Sequence, residues 1–252
     1  MLLTEQLPDS DSLARHWLTA AELARADAIA GAGDRRDFLA AHLLVRWVAA
    51  RLAGASPGGL IVGQRCDRCG GPHGRPVIEG ALGLHVSLAH TQGAVIAVAS
   101  DQPVGADIES LRRPRLSTET LAGVLSESEQ QTIRRSADPH AAFLRQWTRK
   151  EALVKLGAGT LTRMADLDLG QLPISGEHDR LAVRTELAPL WPGLRLLDRV
   201  DHSSGIVFAV MSRRPVTLCA VPPGALCRPA RMPPARAPGG PTAAARALDL
   251  LR

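Results

Sequence analysis

The chain has 252 residues, 45% of them hydrophobic, and a formal charge of +5. That is long and apolar enough to bury a sizeable core as one large or two small domains, which excludes a generally disordered chain. Arg228 to Arg252 holds five Arg and one Asp, so the body is close to neutral and lacks the clustered Lys/Arg of a nucleic-acid-binding face.

In chain order, the N-terminus carries Glu5, Asp9 and Asp11 and no basic-then-apolar leader. Arg35 to Leu52 reads as an amphipathic helix led by Phe38-Leu39. Cys66-x-x-Cys69 with His73 invites a zinc reading, but three local candidates fall short of the four ligands of a closed site. The segment Cys69-Gly70-Gly71-Pro72-His73-Gly74 also has the composition of a turn, so zinc and turn stay open. Cys219 and Cys227 lie far downstream. The longest apolar stretch, Pro76 to Ser100, is broken by Glu79, His85 and His90, so no membrane span is expected. The expected compartment is the cytoplasm. Residues 227–252, rich in Pro, Ala and Arg, read as a mobile extension.

Two acidic motifs follow. Val104-Gly105-Ala106-Asp107-Ile108-Glu109 alternates as a strand, with Val104, Ala106 and Ile108 on one face and Gly105, Asp107 and Glu109 on the other. Trp147-Thr148-Arg149-Lys150-Glu151-Ala152-Leu153-Val154-Lys155 lies in a helix spanning Ala141 to Leu156. At 100° per residue, Phe143, Leu144, Trp147 and Val154 form its apolar sector. Glu151 falls inside that sector, Lys150 and Lys155 flank it, and Arg145, Arg149 and Ala152 are expected to face solvent. A carboxylate in an apolar sector must be paired, protonated or coordinated. Three carboxylates and a lysine one helical turn on suit a divalent cation holding a phosphate. A solvated strand face and an intrahelical salt bridge are the competing structural explanations.

The chain also repeats itself. His90 to Ser100 aligns without gaps with His202 to Ser212, each a turn followed by an apolar strand. Each is preceded by a Phe-Leu-led helix. Two similar α+β halves are therefore expected, each a helix packed on a small antiparallel sheet. The boundaries are 1–103, 104–226 and the tail, and two halves in one chain suit a monomer.

The two acidic motifs together resemble the signature of the Sfp-type 4′-phosphopantetheinyl transferases. Gly74-Arg75-Pro76 resembles that family's Gly-Lys-Pro turn. Val86-Ser87-Leu88-Ala89-His90 resembles its Asn-Ile-Ser-His stretch, with Ser87 and Ala89 as departures and His90 kept. Leu43 to Arg46 resembles the end of its first helix. The resemblance implies a pseudodimer with the active site between the halves. It implies transfer of the phosphopantetheine arm of coenzyme A to a serine of an apo acyl or peptidyl carrier protein, releasing 3′,5′-ADP. It further implies Mg²⁺ or Mn²⁺ held by Asp107, Glu109 and Glu151, with Glu151 as base and Lys155 serving the leaving phosphate. Arg75, Ser87, His90, Arg35, Lys150 and Lys155 would contact coenzyme A. The carrier would dock near Gly157 to Leu169. His42, Arg46 and His85 fit structural roles better, and Arg25 fits the surface. The alternatives are a Mg²⁺-dependent phosphoesterase or nuclease using the same carboxylates, and a carrier-binding module that has lost its chemistry.

Overall fold

The protein is described by a computed structural model over residues 1–7, 10–64, 69–71, 74–114, 118–173, 182–184, 191–219, 221 and 226. Cys66, His73, Cys227 and the tail lie outside the described residues, so the zinc-or-turn question and the tail expectation do too.

Two antiparallel sheets and two long helices make the frame. The first sheet has the order β1-β5-β4-β3-β2, from β1 (Leu2–Leu3), β2 (Val62–Gln64), β3 (Pro76–Ile78), β4 (His85–Thr91) and β5 (Ala94–Ser100). The second has the order β6-β9-β8-β7, from β6 (Val104–Ser110), β7 (Ala182–Arg184), β8 (Arg195–Asp201) and β9 (Ile206–Ser212). Helices α1 (Ser10–Trp17), α2 (Ala20–Asp27) and α3 (Ala32–Ala53) accompany the first sheet. Helices α4 (Thr118–Val124), α5 (Glu127–Arg134) and α6 (Pro139–Leu156) accompany the second. The α+β expectation holds at this level.

Local chemistry sets the helix ends. Asp138 caps α6 by accepting from the amides of His140 and Ala141 at 3.1 and 3.0 Å, with Pro139 pre-set for the first turn. Gly157 ends α6 at φ 103°, a conformation that disfavours any side chain. The two repeated segments form hairpins. β4 pairs with β5 from His85↔Ser100 to Thr91↔Ala94, and β8 pairs with β9 from Arg195↔Ser212 to Asp201↔Ile206. Strands β5 and β9 occupy equivalent places in the repeat: Ala94–Ser100 against Ile206–Ser212.

A deeper correspondence was not read from the sequence. Thr19 and Glu22 form a capping box on α2, and Ser126 and Glu129 form one on α5. In each case the glutamate also receives a helix-borne pair four residues apart. His42 Nδ1 lies 2.7 Å from Glu22 Oε1 and Arg46 NH2 lies 2.7 Å from Oε2. Gln146 Nε2 donates to Glu129 Oε1 at 3.1 Å and Lys150 Nζ lies 2.5 Å from Oε2. Burial opposes the charge on Glu22, but these hydrogen bonds outweigh it and hold its carboxyl at about 2.

The sheets meet along β4 and β6. The Ser87 hydroxyl accepts from the Ala106 amide at 3.0 Å, and the Thr91 hydroxyl accepts from the Ser110 amide at 3.1 Å. Two side chains thus satisfy backbone donors of β6 that its own sheet leaves unpaired. Ala89, Ile96, Ala106, Ile108, Phe208 and Val210 form one buried cluster across this junction.

Candidate active site

Gly105 explains how the two acidic motifs meet. A Cβ at this position would lie 1.9 Å from the Ala152 carbonyl oxygen and 2.7 Å from the Leu156 amide nitrogen. Only glycine lets α6 lie this close on β6. The close approach puts the Lys155 ammonium 2.6 Å from Asp107 Oδ1. Asp107 and Glu109 share the Gly105 face as expected, while Val104, Ala106 and Ile108 pack into the inter-sheet cluster.

The three acidic residues share one electrostatic environment. Asp107 is 6% exposed, and its Oδ2 is buried without a hydrogen-bond partner. Burial raises its pKa, against the pull of Lys155. Burial and then the charge of Asp107 raise Glu109, which accepts from Arg113. Burial, then Asp107 and Glu109, push Glu151 up to about 7. Raised carboxylates that repel one another mark a place short of positive charge. The Arg113 guanidinium stands 5.2 Å from the centre of the Trp147 ring. Trp147, Glu151 and Lys155 run along one face of α6 at four-residue steps.

A divalent cation is the group implied by the resemblance. The donor set suits it: three carboxylates with raised pKa and one orphaned, buried oxygen. As the side chains stand, no three His, Cys, Asp or Glu among the described residues are grouped closely enough to hold a metal. Lys155 instead takes one oxygen of Asp107, and Arg113 takes one of Glu109.

The expected solvent face of α6 is corrected. Arg149 and Ala152 are fully buried and Arg145 is 7% exposed. Arg145 Nε and Arg149 Nε donate to Asp198 Oδ2 at 2.6 and 2.8 Å. Burial disfavours the Asp198 anion, but the two arginines outweigh it and lower its pKa. The sector containing Trp147, Glu151 and Lys155 is the half-buried one that borders the site. The helix is buried on nearly every other side: Phe143 and Leu144 pack with Val200 and Val207 of the sheet, while Arg145 and Arg149 are buried against Asp198.

Of the expected coenzyme A contacts, two lie at the same end of the molecule as Lys155. The Arg75 guanidinium lies against Gly157: a Cβ there would sit 3.0 Å from Arg75 NH2. His90 is exposed at the end of β4. Desolvation, with the charges of His42 and Lys155, lowers its pKa, while Asp37 and Asp34 oppose this. Asp37 also accepts from the Gly93 amide at 3.0 Å, fixing the hairpin beside His90.

Three others sit elsewhere. Ser87 is 2% exposed, and its hydroxyl is bonded to β6 backbone. Its neighbour Ala89 is 6% exposed in the inter-sheet core. The Ser-for-Asn and Ala-for-Ser departures thus fall at a packed junction. Arg35 pairs with Asp11 at 2.6 Å and Asp27 at 3.3 Å, tying α3 to α1 and α2. Lys150 is fully buried, held by Glu129 and by the Val124 and Met164 carbonyls at 2.8 and 3.0 Å. Burial lowers its pKa, against Glu129. A lysine so enclosed cannot reach a phosphate, which corrects the flanking position assigned to it.

Two cations were missed in sequence. Arg113, in the turn after β6, is signalled only by following the Asp-x-Glu strand. Arg36 lines a cavity of about 540 Å³ with Gly33, Asp37, Gln92 and Gly93. Its neighbour Arg35 drew attention instead, since the helix pattern does not say which of two adjacent arginines is already paired.

Residues 103–186 match the family model described as the 4′-phosphopantetheinyl transferase superfamily. The 4′-phosphopantetheinyl transferase AcpT of Salmonella typhimurium is 34% identical over 102 residues, covering 39% of this chain and 53% of the relative. The AcpT of Salmonella typhi matches to the same extent. The chain thus spans about half the length of these relatives. The 4′-phosphopantetheinyl transferase HetI of Nostoc is 26% identical over 187 residues, covering 71% of this chain and 73% of the relative. The matched segment contains both acidic motifs, and residues 103–186 are through it similar to the 4′-phosphopantetheinyl transferase superfamily.

Proposed function

We propose that this protein is an Sfp-type 4′-phosphopantetheinyl transferase. It would move the phosphopantetheine arm of coenzyme A to a serine of an apo carrier protein. The observation that carries the proposal is the contact of the two family motifs. Gly105 lets α6 onto β6, Lys155 reaches Asp107, and Glu151 is held at about 7 by burial and then by the charges of Asp107 and Glu109. The two sheets, with their like hairpins and like capping networks, support a pseudodimer of halves 1–103 and 104–226. The site would lie between them, with Arg75 and His90 from the first half serving the nucleotide. Small-molecule sites often occupy such interfaces.

In this mechanism the serine oxygen bonds to the β-phosphorus of the coenzyme A pyrophosphate. The bond from that phosphorus to the bridging oxygen breaks, and the oxygen leaves on 3′,5′-ADP. Asp107, Glu109 and Glu151 would hold Mg²⁺, which supplies charge stabilisation for the pyrophosphate when bound. A carboxyl near 7 is suited to exchange a proton at neutral pH, so Glu151 would accept the serine proton, directly or through water. Lys155 sits where it can neutralise the departing phosphate. The carrier would meet the surface after α6, around Gly157 to Leu169, where Leu161 is 58% exposed.

The test is to mix the protein with apo acyl or peptidyl carrier, coenzyme A and Mg²⁺, and to weigh the carrier. The expected result is a gain equal to the phosphopantetheinyl arm. Glu151→Gln should lose at least ~100-fold in rate while staying folded, in line with removal of a general base. No gain across several carriers, or near-full activity in the variant, would overturn the proposal.

A further inference from the structure

The first half contains a counterpart of Lys150, and it is Arg46. Arg46 sits on α3, is fully buried, and pairs with the capping glutamate Glu22. Its Nε also donates to the Leu60 carbonyl at 3.2 Å, 14 residues on, just past a 3₁₀ turn at Pro57–Gly59. Lys150 sits on α6, is fully buried, and pairs with the capping glutamate Glu129. Its Nζ donates to the Met164 carbonyl, also 14 residues on, inside the 3₁₀ segment Leu161–Asp166. In both halves a helix-borne cation ties the helix to the cap of its neighbour and to the segment that follows.

We infer that Lys150 and Glu129 are positioning residues that hold the Leu161–Leu169 segment on α6, and that they act on the carrier rather than on coenzyme A. Bonds from α5 and α6 converge on that segment. Glu129 Oε1 accepts from the Leu169 amide at 2.8 Å, and Lys150 Nζ holds the Met164 carbonyl. Gln146 bridges Glu129 to Arg149, whose NH2 donates to the Pro173 carbonyl at 3.0 Å. The segment is therefore pinned at residues 164, 169 and 173 to the side of α6 away from Glu151. Its outer side carries Leu161 and Arg163, both exposed. A buried ion pair contributes little to stability, but it fixes one arrangement over others. Here the arrangement is the distance from a surface bearing the exposed Leu161 and the Arg163–Asp166 pair to Glu151 and Lys155. A carrier whose serine must reach that site would depend on it.

This inference rests on the transferase proposal for its partner, and its test separates the two. In Lys150→Met the Michaelis constant for the carrier should rise about tenfold, with that for coenzyme A and the turnover number within about twofold, the pattern of lost uniform binding to one substrate. Hydrogen exchange needs no substrate: amides 161–169 should lose protection in the variant while β6 and β9 keep theirs. Should Lys150→Met fail to fold, the double variant Lys150→Met, Glu129→Gln removes both charges and keeps a side chain able to complete the α5 capping box. It should fold and show the same two effects. An equal rise in the coenzyme A constant would make Lys150 a phosphate contact and overturn the inference. Unchanged protection at 161–169 would also overturn it. A wild-type protein inactive on all carriers would sink the transferase proposal, leaving the exchange result to decide the positioning role.

Discussion

Asp107 and Asp198 stand in one row of the second sheet, on either side of Ala209, and both lie under α6. Both are buried, yet their acidities move in opposite directions. Asp198 meets Arg145 and Arg149, which together outweigh the burial, and its pKa is lowered. Among the described residues Asp107 makes a single ion pair, with Lys155; it keeps an orphaned oxygen, and burial raises its pKa. The difference is one of compensation. A carboxylate with all its oxygens bonded to cations holds a helix on a sheet. A carboxylate left partly unpaired, next to two others, stores an attraction for a cation that the chain does not itself supply.

The sharpest way to break this comparison is to neutralise each aspartate. Asp198→Asn leaves two buried guanidinium groups without an anion and should cost about 3–5 kcal/mol, the range for breaking a buried pair. Asp107→Asn removes a charge that the fold tolerates poorly. Its stability should stay within about 1 kcal/mol of the parent, while divalent-cation binding falls sharply. Thermal melts and metal titration of both variants decide it; equal destabilisation would erase the distinction.

A smaller effect is expected at Gly105. Its Ala variant places a methyl on the Ala152 carbonyl, so α6 must shift, at a cost of about 1–3 kcal/mol for an overpacked contact. The shift should cost more in transfer rate than in stability, because it separates Lys155 from Asp107. Retention of full activity would mean that the close approach is not what assembles the site.

The smallest effect is a pH dependence of opposite sign on the two sides. Glu151 goes from an ordinary 4.5 to about 7 on folding, so its neutral form is favoured in the fold. That contribution is present in full below 4.5 and is lost as pH rises toward 7. Asp198 has the reverse sign: its contribution is present above an ordinary 3.8 and is lost as pH falls through its lowered value. Without divalent cation, the melting temperature should therefore carry a downward component between pH 4.5 and 7, to which the raised Asp107 and Glu109 also contribute, and Glu151→Gln should reduce it. Added Mg²⁺ should flatten the same component. A slope unaffected by the variant would remove Glu151 as its source.

The strand motif was legible because a period of two assigns faces without knowledge of neighbours, and Gly105, Asp107 and Glu109 do share a face. The hairpin repeat was legible for the same reason: β5 and β9 are apolar runs bounded by turns. The helix was legible in extent but not in orientation. Its charges are buried beside Asp198 and Glu129, so hydropathy marked Arg145 and Arg149 as outward and Lys150 as flanking the apolar sector when their partners draw them in. The capping networks were hidden for a related reason. Glu22 and Glu129 satisfy a local motif, and nothing local shows that the same oxygens receive a cation from another helix. His90 and Arg75 were picked out by resemblance. Arg36 and Arg113 were passed over because adjacent or turn-borne arginines look alike until their partners are known.

By itself the sequence determined the chemistry available: three carboxylates, a lysine at helical spacing, and a doubled arrangement of helix and hairpin. Those follow from residue identity and periodicity, which are properties of short stretches of chain. Only the tertiary structure decided which charges are compensated. Compensation depends on what lies within about 3 Å across elements distant in sequence, and it is this that separates Lys155 over Asp107 from Lys150 against Glu129.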